Sequence, residues 1–285
     1  MGRPGLSYRR ATVSDMTELV RSADGTRIAF DIEGDGPPVV LIGGAMQFRA
    51  FDPDTGKLAH RLAARGFTVV NYDRRGRGES DAGPVGALDS EVEDVAALVD
   101  RVGGRAALYG GSSGAVIALW AAQAGVGATR LALWEAPLAP EGQGDGGETH
   151  RGLRDRIAAG DHEGAVEFFM RDMPPEWLAG SKASPAWPIM VGIAPSLVAD
   201  AAALTKAQEA PWAEQWSAVD VPVLAIVGEQ TLPIFPPAAD ALAAALPHAR
   251  TGTVAAADHR WQLDAMTDTL AAFLAEHGPG AAGHR

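Results

Sequence analysis

Ala106-Ala107-Leu108-Tyr109-Gly110-Gly111-Ser112-Ser113-Gly114, followed by the Ala-rich run Ala115 to Ala122, decides the fold of this chain. The apolar residues before Gly110 read as a strand, the run from Ser113 to Ala124 reads as a helix, and only Gly and Ser separate them. So tight a join needs small residues on either side of Ser112, because strand and helix must approach closely there. It also holds Ser112 in a strained conformation, with a helix N-terminus behind it that favours developing negative charge.

The same alternation extends in both directions. Upstream, Glu18 to Ser22 and Thr26 to Ile32 read as strands joined by the hairpin signal Asp24-Gly25, and Pro38 to Ile42 as a strand buried on both faces. Helix (Phe51 to Arg65), strand (Phe67 to Tyr72), helix (Leu88 to Val102) and strand (Arg105 to Tyr109) lead up to the Ser112 turn. Downstream, Arg130 to Trp134 reads as a strand. After an interruption the rhythm resumes with Val221 to Val227 (strand), Pro236 to Leu246 (helix), Ala249 to Val254 (strand) and Asp264 to Glu276 (helix).

Strands alternating with helices predict an α/β fold with a mostly parallel eight-stranded sheet and helices on both faces. The interruption, with a short helix around Ala165 to Met170, predicts a helical cap insertion. The expected organisation is a flexible leader (1–16), a core (17–137 and 219–278) around the cap (138–218), and a flexible tail (279–285).

Composition narrows the chemistry. The 285 residues include 24 Lys+Arg against 36 Asp+Glu, a net charge of −12, which argues against nucleic acid as a partner. With no Cys, thiolate zinc sites and cysteine nucleophiles are excluded. Asp52, Asp54, Glu91, Glu93 and Asp94 read as helix N-terminal and solvated carboxylates, so no metal and no cofactor are expected. Neither a secretion signal nor an apolar run long enough to cross a bilayer is read, so the expectation is a cytoplasmic protein that engages a small-molecule substrate and no membrane.

Three motifs in order give the chain a resemblance to the α/β-hydrolase superfamily. Val39 to Ala45 stands in place of that family's strand followed by His-Gly-x. Tyr72-Asp73-Arg74-Arg75-Gly76-Arg77-Gly78-Glu79-Ser80 stands in place of its Asp-x-Arg-Gly-x-Gly-x-Ser loop, and Gly110 to Gly114 in place of Gly-x-Ser-x-Gly. The resemblance implies Ser112 as nucleophile and an oxyanion held by the backbone N–H groups of Ala45 and Ser113, neither of which depends on a side chain. Gly43 departs from the pattern, since the family usually has His there, and a change in loop support is expected. The loop from Arg74 to Ser80 is read as structural, tying the end of the fourth strand to neighbouring loops.

Position sorts the histidines. His60, His150, His162, His248, His277 and His284 lie in helices, turns or the insertion, whereas His259 follows the last strand, where the family presents its general base. The acid departs from the commoner pattern: Gly228-Glu229-Gln230-Thr231 puts a hydroxyl where the family usually has Asp. Some members take the acid from the end of the sixth strand, and Glu135 stands there, 135 − 112 = 23 residues after the serine. Glu135 is therefore the leading candidate, with Glu229 or no working acid as alternatives; Asp258 adjoins His259 and is a poor one.

Such a triad implies acyl transfer, hydrolysing an ester, lactone or thioester of a small hydrophobic metabolite. Met46, Phe48, Trp134, Met170, Trp177, Trp187 and Trp261 are the candidate substrate-binding residues. A non-hydrolytic, cofactor-free lyase, cyclase or oxygenase on the same fold stays open as an alternative, as does a ligand-binding protein.

Overall fold

The computed structural model describes residues 17–84 and 86–276; the expected leader and tail, with His277 and His284, lie outside the described residues. The chain runs β1 (Glu18–Arg21), β2 (Arg27–Glu33), β3 (Pro38–Ile42), α1 (Pro53–Ala64), β4 (Thr68–Tyr72), α2 (Leu88–Arg101), β5 (Ala106–Gly111), α3 (Ser113–Gln123) and β6 (Ala128–Trp134). An insertion follows, with α4 (Glu148–Ala158), α5 (His162–Phe169), α6 (Pro175–Ala183), α7 (Trp187–Gly192), a 3-10 turn at Ala194–Ser196, α8 (Leu197–Lys206) and α9 (Trp212–Gln215). The chain then closes with β7 (Val223–Gln230), α10 (Phe235–Ala245), β8 (Ala249–Ala257), β9 (Arg260–Trp261) and α11 (Leu263–Ala275).

All strands join one sheet in the order β1-β2-β4-β3-β5-β6-β7-β8-β9. From β4 to β8 the neighbours are parallel, while β1, β2 and β9 attach antiparallel. Among the described residues the sheet therefore has nine strands, one more than the sequence predicts. The addition arises because β8 runs on through Ala257 and turns back through Asp258 and His259 into the two-residue β9, with Ala257 opposite Arg260. Both turn residues have positive φ, 51° and 63°, as a two-residue hairpin of type I′ requires.

Successive strand residues sort to opposite faces, as the two-residue period demands. Val40, Ile42, Leu108, Leu131 and Leu133 pack with α2, α3 and α10, whereas Val39, Leu41, Ala107, Tyr109, Ala132 and Trp134 pack with α1 and α11. Helix α3 is buried from Ser113 to Ala122, because the insertion crosses its outer side: α8 packs on it, and the Trp120 indole donates to Ala203 O at 3.2 Å. No helix among the described residues is long and apolar enough to cross a membrane.

The loop after β4 is the most densely charged part of the interior. Arg74, Arg75 and Arg77 are all at most 1% exposed. Arg74 donates to both oxygens of Glu91, and Arg75 to both oxygens of Asp94. Glu91 and Asp94 are thus buried ion-pair partners, which corrects the expectation of solvated carboxylates. They lie on the inward stripe of α2 alongside Val95 and Leu98, and burial of such charges requires the pairing found here. Asp52, by contrast, caps α1 as read, accepting from Thr55 N at 3.3 Å.

Asp24 extends this network to the β1–β2 turn. Its carboxylate accepts from Arg75 Nη1 at 2.9 Å and from Thr26 N at 2.9 Å, and the Arg75 bond foremost moves it from an ordinary 3.8 down to about 2. A value lowered by folding means stability that is present above about pH 4 and lost as pH falls toward 2. Asp24→Asn is therefore expected to cost about 1 kcal/mol in urea unfolding at pH 7. The gap between variant and wild type should narrow steadily as pH falls from about 4 through 2, and a gap that stayed constant over that range would refute the pairing.

Candidate active site

Five non-glycine residues have positive φ among the described residues: Met46 (61°), Ser112 (54°), Glu135 (42°), Asp258 (51°) and His259 (63°). Such strain persists only where surrounding structure over-determines it, and here it gathers on the loops that carry the expected site. Ser112, with φ 54° and ψ −125°, occupies the turn between β5 and α3. The flanking glycines are required there: a Cβ on Gly110 would lie 2.4 Å from Ala115 Cα, and one on Gly114 would lie 2.3 Å from Ile42 O.

The carboxylate at the end of β6 meets the imidazole beyond β8. Glu135 Oε2 is hydrogen-bonded to His259 Nδ1, while Oε1 accepts from Gly228 N at 2.9 Å and from the Thr231 hydroxyl. The Glu135 side chain is fully buried and that of His259 is 24% exposed. Gly228 is needed for this approach, since a Cβ there would come within 3.0 Å of Glu135 Oε1. Glu229 is exposed beside the irregularity in β7–β8 pairing and makes no hydrogen bond to His259. Thr231, in the position where the family's acid usually stands, thus serves as a donor to the Glu135 carboxylate.

His259 is flanked by aromatic rings. Phe235, the first residue of α10, stacks on it with centroids 4.8 Å apart and planes 6° from parallel, and Trp134 stacks at 6.1 Å. No hydrogen bond among the described residues joins Ser112 Oγ to His259. The two positions are linked through Trp134, whose carbonyl accepts from Ser112 N at 2.8 Å.

The loop after β3 faces the Ser112 turn closely enough that a Cβ on Gly44 would lie 3.0 Å from Ser112 Cβ. Its support comes from Gln47, which accepts from Gly44 N at 2.5 Å and donates to Asp52 at 3.0 Å, and from Arg77, which donates to Gly44 O at 2.6 Å. Ala45 N–H donates no hydrogen bond among the described residues, and Ser113, as the first residue of α3, has no helical acceptor for its own. The Ser113 side chain, however, is engaged: it donates to Asp200 Oδ1 at 2.7 Å. Asp200 lies on α8 and also receives Arg74 and Arg77. Burial alone works to raise its carboxyl, but the two guanidinium groups outweigh it and hold it below the usual carboxylate range.

The residues expected to bind substrate divide into groups. Met46 and Met170 belong to the buried core of the insertion, and Ala45, Trp177 and Trp187 pack partly buried against it, so this apolar cluster reaches the β3 loop. Trp134 is 3% exposed and Trp261 is partly buried against the α1–α11 side of the sheet, while Phe48 stacks on Phe51 at 5.3 Å. Sequence reasoning missed Asp200 and Phe235. Asp200 carried a signal, being the one charged residue within the apolar run Leu197 to Leu204; Phe235 carried none.

A family model described as alpha/beta hydrolase family matches residues 39–273. An alpha/beta hydrolase of known structure from Sphaerobacter thermophilus is similar at 37% identity and a TM-score of 0.79, covering 90% of this chain and all of that one. An esterase from Thermogutta terrifontis is similar in fold (23% identity, TM-score 0.68, 91% of this chain and 98% of that one). So is an enol-lactonase from Burkholderia xenovorans (22%, 0.63, 91% and 100%). No match was found among curated proteins. With the match running from β3 into α11, across the ends of β3, β5, β6, β7 and β8 that carry the candidate site, the chain belongs to the alpha/beta hydrolase family.

Proposed function

We propose that this protein is a serine hydrolase that cleaves an ester, lactone or thioester of a small hydrophobic metabolite through an acyl-enzyme. The observation that carries this reading is the Glu135–His259 pair, a buried carboxylate bonded to Nδ1 of an imidazole on the loop after β8. With Nδ1 committed to Glu135, Nε2 is the nitrogen left to take a proton. The gap between Ser112 and His259 is compatible with this, because such bonds are often long before substrate binds.

In the proposed reaction Ser112 Oγ attacks the carbonyl carbon while His259 takes the hydroxyl proton. The oxyanion is met by the N–H groups of Ala45 and Ser113. Collapse breaks the bond to the alcohol or thiol, which takes the proton from His259 and departs or, from a lactone, stays tethered to the acyl group. Water then attacks the acyl group, gives a proton to His259, and the acid is released as Ser112 recovers its proton. The apolar cluster of Met46, Met170, Trp177 and Trp187 supports a hydrophobic acyl or alcohol part. An esterase and an enol-lactonase among the proteins similar in fold are in keeping with this bond class.

The test is incubation with a fluorophosphonate followed by intact-protein mass spectrometry, alongside turnover of p-nitrophenyl esters. The expected result is one adduct, lost in Ser112→Ala, together with ester turnover. Absence of both in wild-type protein would overturn the reading.

A further inference from the structure

We propose that Asp200, contributed by the insertion, is the positioning residue for both oxyanion donors. This rests on the hydrolase reading above and adds a residue to it.

Two chains of hydrogen bonds converge on this one carboxylate. On one side Ser113 Oγ donates to Oδ1 at 2.7 Å, anchoring the residue whose N–H opens α3. On the other, Oδ2 accepts from Arg77 Nη2 at 2.7 Å, and Nη1 of the same guanidinium donates to Gly44 O at 2.6 Å. Gly44 O and Ala45 N–H belong to one peptide unit. In a trans peptide the two point in opposite directions, and there is no cis bond among the described residues. A carbonyl fixed on Arg77 therefore aims Ala45 N–H away from Arg77. Arg74 repeats the arrangement one residue earlier, bridging Asp200 Oδ1 at 2.6 Å and Gly43 O at 3.2 Å.

The β3 loop needs such an anchor. It contains Gly43 and Gly44 and turns through positive φ at Met46, so beyond the Gln47 side chain its own sequence does little to restrict its backbone. Oxyanion donors help only if they are fixed before charge develops on the substrate. Asp200 and Arg77 are both fully buried, and their fork geometry leaves little freedom to the groups they hold. The carboxylate also comes from the insertion rather than from the sheet, so the covering helices and the candidate donors share one rigid connection.

The test compares wild type, Asp200→Asn and Ser113→Ala, with active sites titrated by the p-nitrophenolate burst. Asparagine keeps the shape but has one acceptor oxygen for three donors. It is expected to lower kcat per titrated site by about 10- to 100-fold, short of the loss of a donor outright. KM should stay within about twofold, because the donors act on the transition state. Ser113→Ala removes one link without leaving a buried charge unpaired, and a loss of about tenfold with the same pattern is expected. Phenylboronic acid, which forms a tetrahedral adduct on serine, should bind more weakly by the same factor as the fall in kcat/KM.

If Asp200→Asn does not fold, Ser113→Ala decides alone. Unchanged kcat per site and unchanged boronate affinity in the folded variants would overturn the proposal and leave Asp200 a structural link between insertion and core. A fall in rate fully accounted for by fewer titratable sites would do the same. A wild type without Ser112-dependent turnover would instead overturn the hydrolase reading, and this proposal with it.

Discussion

Glu135→Gln is expected to lower kcat by about 10⁴-fold while leaving thermal unfolding nearly unchanged. The substitution keeps the side chain's shape, and the amide oxygen can still accept from Gly228 N–H and the Thr231 hydroxyl. The amide nitrogen then faces His259 Nδ1, which must turn from donor to acceptor. The ring proton moves to Nε2, and the nitrogen that should accept the Ser112 proton no longer can. Glu229→Gln, on an exposed side chain near the end of β7, should change kcat by less than about twofold. Equal activity in Glu135→Gln and wild type would show that the β6 carboxylate is not the acid.

Ser112→Ala should have the larger effect, a loss of about 10⁶-fold in kcat. Removing the nucleophile of a unit that acts together costs about as much as removing the whole unit, and what remains comes from binding and the oxyanion donors. The Cβ is retained, so the turn between β5 and α3 keeps its strained φ of 54°, and stability should change by well under about 1 kcal/mol. A variant that kept more than about one-hundredth of wild-type turnover would point to a different nucleophile.

The sheet was legible because its parallel strands are buried on both faces and therefore read as short apolar runs, as in Val39 to Ile42 and Leu131 to Trp134. The end of β8 was not. Ala255 to Ala257 lacks the β-branched residues that mark a strand, and Asp258-His259 turns a hairpin without the glycine that usually signals one. Within the insertion the sequence predicts one short helix, around Ala165 to Met170, yet the prolines there start further helices. Pro175 opens α6, Pro188 lies in the first turn of α7, and Pro195 lies in the 3-10 turn before α8.

The site follows the same division. Ser112, Glu135 and His259 stand at strand ends, where order along the chain fixes position, and Glu135 and His259 meet as read. The partners of Arg74, Arg75 and Arg77 were hidden, since Glu91 and Asp94 sit at spacings that also suit a solvated face and Asp200 lies over a hundred residues away. In the sequence Thr231 stands out by what it lacks, a carboxylate, whereas in the structure its hydroxyl donates to Glu135.

The most direct test of acyl transfer at Ser112 is rapid-quench mass spectrometry of wild-type protein during its first turnover of a p-nitrophenyl ester. The account predicts a mass increase equal to the acyl group, located on the peptide containing Ser112 and formed together with the burst of p-nitrophenolate. Release of p-nitrophenolate with no acylated protein, or with the acyl group on another residue, would contradict it.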